Sequence, residues 1–189
     1  MLAQLRPAVL MTVVLTVLTG LVYPLAVTGV ARVAFPRQAA GSLIVRDGKV
    51  IGSELIAQGF SSAKYFQPRP SAAGDKGYDA AGSSGSNLGP IDARLIDRVT
   101  SSVAALKAEH PGVAIPVDLV TTSGSGLDPD ITPAAAEFQV PRVARERGLG
   151  ADRVRELVER FTQGRQYGVL GERRVNVLLL NLALDDAAR

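Results

Sequence analysis

Between Pro7 and Ala31 the chain reads P-A-V-L-M-T-V-V-L-T-V-L-T-G-L-V-Y-P-L-A-V-T-G-V-A, without a single charge. A bilayer core needs about 20 such residues as a helix, so this stretch reads as a transmembrane helix. The rival reading is a cleaved signal peptide ending at Gly29-Val30-Ala31, but the apolar part of such a leader usually spans only about 7–15 residues. Arg6 lies on one side and Arg32 and Arg37 on the other, so the near flanks do not fix orientation. Long domains translocate largely regardless of their charge, which leaves the outer face open to whatever follows. The expected layout is a short segment 1–6, a membrane helix 7–31 and a soluble domain 32–189.

Within the apolar run, Thr12, Thr16, Gly20, Pro24 and Thr28 recur every four residues. Small residues at that spacing let a second helix approach closely, although Gly, Thr and Pro are common in membrane helices in any case. Pro24 is expected to kink the helix or end its regular part.

Cysteine is absent, which removes disulfides, thiolate metal sites and cysteine nucleophiles together. The 21 basic and 18 acidic residues nearly balance, unlike the dense basic face of a nucleic-acid binder. The distribution is uneven, however. Positions 46–130 hold 8 basic and 10 acidic residues, and positions 142–174 hold 9 arginines against 5 acids. Those arginines suit solvated helix faces with i,i+4 pairs such as Glu156 and Arg160; the other reading is a docking surface for anionic headgroups or a partner.

Past Pro36, Asp47-Gly48 between two apolar runs predicts a β-hairpin. Residues 67–90, rich in Pro, Gly and Ser, predict a long loop. Leu95, Ile96, Val99, Val103 and Leu106 predict a helix over 92–109 with Asp92 as N-cap. A strand is expected over 113–122, with Pro116 at an edge or entry position. Thr132-Pro133 opens a helix through Arg147 that Pro141 should kink or split, closed by Gly148. A second helix follows over 152–163, burying Val154, Leu157, Val158 and Phe161. V-N-V-L-L-L-N-L-A-L at 175–184 reads as a buried central strand. Together these predict an α+β domain in which helices cover a small sheet.

One pattern, S-G-S-x-L-x-P, occurs twice, at 84–90 and 123–129. A hydrolase reading fails on chemistry: Ser123 and Ser125 need a base, the only histidine is His110, and no G-x-S-x-G elbow is present. An anion cradle gains from both segments leading into helix N-termini, but neither holds the lysine of a phosphate-binding loop. Asp118, Asp128 and Asp130 are too sparse for a calcium loop and fit turn and cap positions. The simplest reading is two shaped loops in which glycines supply unusual backbone angles and Ser and Asn bond nearby main chain. Loops of that kind also carry binding residues.

Five segments in order, Y-F-Q-P-R-P-S-A at 65–72, S-G-S-N-L-G-P at 84–90, D-L-V-T-T-S-G-S-G-L-D-P-D-I-T-P at 118–133, Q-V-P-R-V-A at 139–144 and the run at 175–184, resemble the C subunit of the bacterial potassium-transporting Kdp ATPase. The resemblance runs nearly end to end; one departure is Ser84, where that family more often has glycine. It implies a non-catalytic subunit that assembles or stabilises a high-affinity, ATP-driven potassium pump, with no catalytic, cofactor or metal site of its own. The complex would use ATP, magnesium and potassium. Its partners would be a channel-like potassium-binding subunit, a P-type ATPase catalytic subunit, a small membrane peptide and the bilayer, with no nucleic acid. The soluble domain would lie on the outer, periplasmic face of the cytoplasmic membrane. A raised ATP affinity, attributed to the family, would have to be passed through the membrane helices as a coupling free energy. The alternative is a tethered extracytoplasmic ligand-binding domain acting alone. The residues expected to meet partners are the helix stripe Thr12, Thr16, Gly20, Pro24 and Thr28, and the loop residues Arg69, Pro70, Ser71, Ser84, Gly85, Ser86, Asn87, Ser123, Gly124, Ser125, Gly126 and Asp128.

Overall fold

The computed structural model describes residues 2–187; residues 1, 188 and 189 of the expected outer segments lie outside that range. The chain divides into two compact units between Ile51 and Gly52.

The first unit opens with α1 (Leu2–Val17), passes through one π-helical turn (Leu18–Val22) and continues as α2 (Tyr23–Ala34). Its apolar span, Gln4–Ala34, is 31 residues, about 46 Å at 1.5 Å per residue and more than a hydrocarbon core of about 30 Å requires. The π turn sits just before Pro24, which has no N–H to return to the carbonyl of Gly20. Instead the Tyr23 N–H reaches back five residues to Leu18 O. The helix thus changes its winding ahead of the proline and carries on past it. Thr12 Oγ1 donates to Ala8 O at 2.9 Å and Thr19 Oγ1 to Leu15 O at 2.7 Å, so these hydroxyls are satisfied within the helix and suit an apolar surround. After the short α3 (Pro36–Ala39), β1 (Leu43–Arg46) and β2 (Lys49–Ser53) form the expected hairpin. Asp47 and Gly48 both have positive φ, 51° and 74°, as a type I′ turn requires.

The second unit takes in the last two residues of β2 and then runs without a helix or strand as far as α4; residues 67–90 are a loop, as the composition predicts. Then come α4 (Ala93–Glu109), β3 (Asp130–Ile131), α5 (Pro133–Arg147), α6 (Ala151–Arg160), β4 (Thr162–Gln163), β5 (Arg174–Asn176) and α7 (Val177–Ala187). The sheet is antiparallel in the order β3-β5-β4, pairing Ile131 with Val175 and Thr162 with Val175. The class is α+β.

The caps follow the sequence closely. Asp92 accepts from Arg94 N at 2.9 Å to start α4, and its contact with the Arg94 side chain holds its carboxyl below the usual range. Thr132 Oγ1 accepts from Ala135 N at 3.1 Å to start α5, and Gly148 closes that helix at φ 64°. Pro141 does not split α5. It and Glu137, four residues earlier, are both exposed, so the carbonyl that loses its partner lies on the wet side. Along the apolar stripe of α4, Leu95, Val99, Val103 and Leu106 are half-buried and Ile96 is exposed, with Leu106 packing against the core.

Two expected strands are corrected. Residues 113–122 hold no strand; Val117–Leu119 form a 3₁₀ turn. Asp118, Leu119 and Val120 are buried in succession, whereas a strand with one face in solvent would alternate. What turns the chain inward is the Asp118 carboxylate, which accepts from Thr132 N at 2.8 Å and Thr132 Oγ1 at 3.2 Å. The run 175–184 enters as central strand β5 but coils into α7 at Val177. Asn176 makes that switch: its Oδ1 caps the new helix by accepting from Leu179 N at 3.1 Å, and its Nδ2 donates to Glu54 O at 2.9 Å. A run apolar on every side does not distinguish helix from strand by periodicity; the capping asparagine was the available signal.

Val140, Val143, Val154, Val175, Leu180 and Leu184 are fully buried between α5, α6, β5 and α7, each contributing about 1.5–3 kcal/mol. Against this core lies the extended chain at Phe66 and Gln67, held by two buried amides. Asn181 Oδ1 accepts from Phe66 N at 2.8 Å and its Nδ2 donates to Phe66 O at 2.9 Å. Gln139 Oε1 accepts from Gln67 N at 2.8 Å and its Nε2 donates to Gln67 O at 3.1 Å. Asn181→Leu would orphan both Phe66 groups at about 1–3 kcal/mol each. The expected loss is about 2–5 kcal/mol in denaturant unfolding of the full chain in detergent; a loss below about 0.5 kcal/mol would mean that water replaces the amide.

Candidate functional site

The two copies of S-G-S-x-L-x-P lie against each other. Ser84 N donates to Ser125 O at 2.9 Å, and Ser83 Oγ donates to the same carbonyl at 3.0 Å. The approach is close enough that side chains are excluded. A Cβ on Gly85 would stand 3.0 Å from Gly124 O, and one on Gly126 would run into Ser84 O and stand 2.9 Å from Ala73 N. Gly126 also has φ 68°, a conformation that glycine adopts without strain. Ser84 is not among the positive-φ residues, so the backbone does not call for glycine there. Asn87, at φ 50°, takes the left-handed turn that its copy needs.

Arg69 joins the long loop to the second copy and to the two threonines before it. Its guanidinium donates to Thr121 O at 3.5 Å, Thr121 Oγ1 at 3.4 Å and Thr122 O at 3.2 Å, and pairs with Asp128 Oδ2 at 3.3 Å. Asp128 Oδ1 accepts from Asp130 N at 3.1 Å. Ser71 Oγ accepts from Ala73 N and Tyr78 N, and the Tyr78 hydroxyl, pushed up in pKa by burial, donates to Arg69 O at 2.9 Å. The expected contact residues therefore sort into two groups. Arg69, Ser71, Ser123, Gly126 and Asp128 hold the loops together, with Ser123 and Gly126 buried; Ser84, Asn87, Gly124 and Ser125 are exposed. Pro70, Gly85 and Ser86 are half-buried between the two groups.

Ser125 Oγ accepts from Leu127 N at 3.1 Å and lies 3.4 Å from Ser123 Oγ, which is turn chemistry. His110 stands edge-on to Phe138 with its Nε2 3.4 Å from Glu109, and no hydrogen bond joins it to either serine among the described residues. Both helix N-termini that an anion would seek are occupied by the chain's own acceptors, Asp92 on α4 and Thr132 with Asp118 on α5. The acids beside Arg69 line a pocket of about 220 Å³ together with Arg173 and Arg174. Asp130 pairs there with Arg174 at 3.0 Å, and burial raises its carboxyl against that pull. These carboxylates are engaged by protein donors, and no cluster among the described residues is arranged to hold a metal ion.

In a second cleft, of about 330 Å³, the charged lining is Glu109 and Arg142. Arg142 at its wall contacts Glu109 at 2.9 Å, Gln139 Oε1 at 2.7 Å, Tyr65 O at 3.0 Å and Ala63 O; burial lowers its pKa against the pull of Glu109. Arg147 donates to Lys64 O at 2.7 Å, pairs with Asp185 at 2.9 Å and stacks over Tyr65. The anchoring roles of Gln139, Arg142, Arg147 and Asn181 were missed in the sequence. Asparagine inside an apolar run was the readable sign, since a buried amide must find partners.

On the membrane helix, a residue every four places overshoots an α-helical turn by about 40° per step. Thr12 and Thr28 would then face nearly opposite ways on a regular helix. The π turn at Leu18–Val22 is wound more loosely, which draws Gly20 and Pro24 back toward the side of Thr12 and Thr16.

Fold and site define a small α+β domain on one membrane helix, whose polar side chains tie its own loops together. The model of the family KdpC, K+-transporting ATPase, c chain, matches residues 5–186. Relatives named potassium-transporting ATPase KdpC subunit are 60% identical in Methylorubrum populi and 62% identical in Rhodopseudomonas palustris, in both cases over 100% of each chain. One from Bradyrhizobium diazoefficiens is 58% identical over 100% of this chain and 99% of its own. The chain belongs to the C-chain family of potassium-transporting ATPases.

Two glycines only two residues apart make a sharp test. Gly126→Ala should destabilise the full chain by about 2–4 kcal/mol through strain and displaced backbone. Gly124→Ala, with nothing within 4 Å of its Cβ, should stay within about 0.5 kcal/mol of wild type. Equal unfolding midpoints for the two variants would overturn the pairing of the loops.

Proposed function

We propose that the chain works as the non-catalytic C subunit of an ATP-driven potassium uptake complex, assembling and stabilising the parts that bind potassium and hydrolyse ATP. The observation that carries this is identity of about 60% along the whole length to KdpC subunits. The partners are a channel-like potassium-binding subunit, a P-type ATPase subunit and a small membrane peptide, and the complex uses ATP, magnesium and potassium. Residues 7–31 cross the cytoplasmic membrane and residues 32–189 lie on its outer face.

The helix stripe Thr12, Thr16, Gly20, Pro24 and Thr28 packs against a partner's membrane helix, favoured by the π turn that gathers its middle residues onto one side. The outward members of the paired loops, Ser84, Asn87, Gly124 and Ser125, touch the channel-like subunit, and the buried members keep that surface in shape. A domain on the outer face does not meet cytoplasmic ATP, so any effect on ATP affinity travels through the membrane helices as a coupling between sites.

The test is co-purification. A tagged chain extracted from potassium-starved cells in mild detergent should bring down a channel-like subunit and a P-type ATPase, and Thr16→Leu with Gly20→Leu should cut that recovery about tenfold, a loss of about 1.4 kcal/mol in association. Recovery of the chain alone, with both partners present in the membranes, would favour a tethered ligand-binding domain. Full recovery with the double variant would remove the stripe from the interface.

A further inference from the structure

The loop between β4 and β5 carries the most exposed apolar cluster of the second unit. Tyr167 is 93% exposed, Val169 71% and Leu170 57%. Elsewhere in that unit, large exposed apolar residues stand singly along the sequence, as at Leu55, Ile91 and Val117, and single ones need no explanation. The tip is built rather than slack. Gln166 and Leu170 exchange both backbone hydrogen bonds, at 2.8 and 2.9 Å, while Gly168 N and Val169 N donate to Arg165 O and Gln166 O at 3.1 Å. Tyr167 and Gly168 take positive φ, 53° and 77°, which turns the tyrosine ring out of the loop. The backbone of the tip thus satisfies much of its own hydrogen bonding while presenting a tyrosine and two aliphatic side chains.

Arginines flank this tip. Arg165 pairs with Glu172 at 2.6 Å and Arg173 with Glu159 at 3.0 Å, all four groups exposed, and the exposed Arg160 follows Glu159 in the last turn of α6. Exposed pairs of this kind are weak, so the guanidinium groups are free to exchange carboxylate for phosphate, which they bind in the same two-pronged way. The surrounding stretch, 142–174, carries 9 arginines against 5 acids.

We propose that the tip at 165–173 is a second membrane contact, with Tyr167, Val169 and Leu170 entering the headgroup region and Arg160, Arg165 and Arg173 bonding anionic phospholipid. A tip whose backbone satisfies much of its own hydrogen bonding can turn its apolar side chains toward the hydrocarbon, where replacement partners are scarce. Tyrosine with flanking arginine is the composition of that zone. The proposal rests on the membrane helix that already holds the chain at a bilayer, and not on its role in the pump.

The chain has no tryptophan, so Tyr167→Trp installs a sole indole reporter. The full-length variant is reconstituted into vesicles of phosphatidylcholine, with or without phosphatidylglycerol, and into the same mixtures containing brominated acyl chains. The expected result is a blue-shifted emission quenched by brominated lipid, stronger with phosphatidylglycerol, and lost when Val169→Asp and Leu170→Asp are added. Emission typical of indole in water, unquenched in both mixtures, would overturn the proposal. Equal quenching with and without phosphatidylglycerol would overturn the assignment to anionic lipid. A blue shift that arises only when the purified partner subunits are added would move the tip to a protein interface, which also overturns it.

Discussion

Two primary amides, those of Asn181 and Gln139, hold together much of the second unit. Each places its carbonyl and its NH₂ opposite the N–H and C=O of one residue of an extended segment, Phe66 and Gln67, much as a neighbouring strand would. Both side chains are buried, at 1% and 3% exposure, where an unpaired amide would be costly. The match is thus restrictive: the segment has to lie at that depth and in that register. Once it does, Phe66 fills the core, Arg142 and Arg147 close over the carbonyls of Ala63, Lys64 and Tyr65, and the chain leaves toward Arg69 in the direction that brings the long loop to its counterpart.

The paired loops depend on that direction. Two copies of one short pattern serve as the two sides of a single contact, each using glycine where the other's main chain comes closest. Repetition in the sequence reflected a demand made on both sides of one surface, which is why neither copy alone looked like a site. The contact forms from segments about forty residues apart, and Arg69, with three bonds to Thr121 and Thr122 and a pair to Asp128, ties the start of the long loop to the second of them.

Local signals were legible wherever a structure is decided within a few residues. The hairpin at Asp47-Gly48, the caps at Asp92 and Thr132, the stop at Gly148 and the burial of Val154, Leu157 and Val158 on α6 were all readable from the chain, although α6 ends at Arg160 and residues 162–163 pair as β4 instead of continuing it. What failed was decided at long range. Residues 113–122 looked extended, yet Asp118 turns inward to a threonine fourteen positions on, and this bends the chain into a 3₁₀ turn. The run at 175–184 offered no polar face to set its period, so only Asn176, easily read as an interruption, marked the change from strand to helix. The paired loops were seen as shaped turns, but their being shaped by each other rested on a contact that no spacing encodes.

The position of Asn181 has a consequence for biogenesis. The segment that it grips lies 115 residues earlier in the chain, and the helix that presents it is the last of the described elements. During synthesis, at about 5–20 residues per second, Phe66 and the loops beyond it therefore emerge many seconds before anything exists to hold them. Only when α7 arrives can the amide close on its partner. Until then the Phe66 backbone lacks the amide that matches it and the valines that α7 covers stay uncovered.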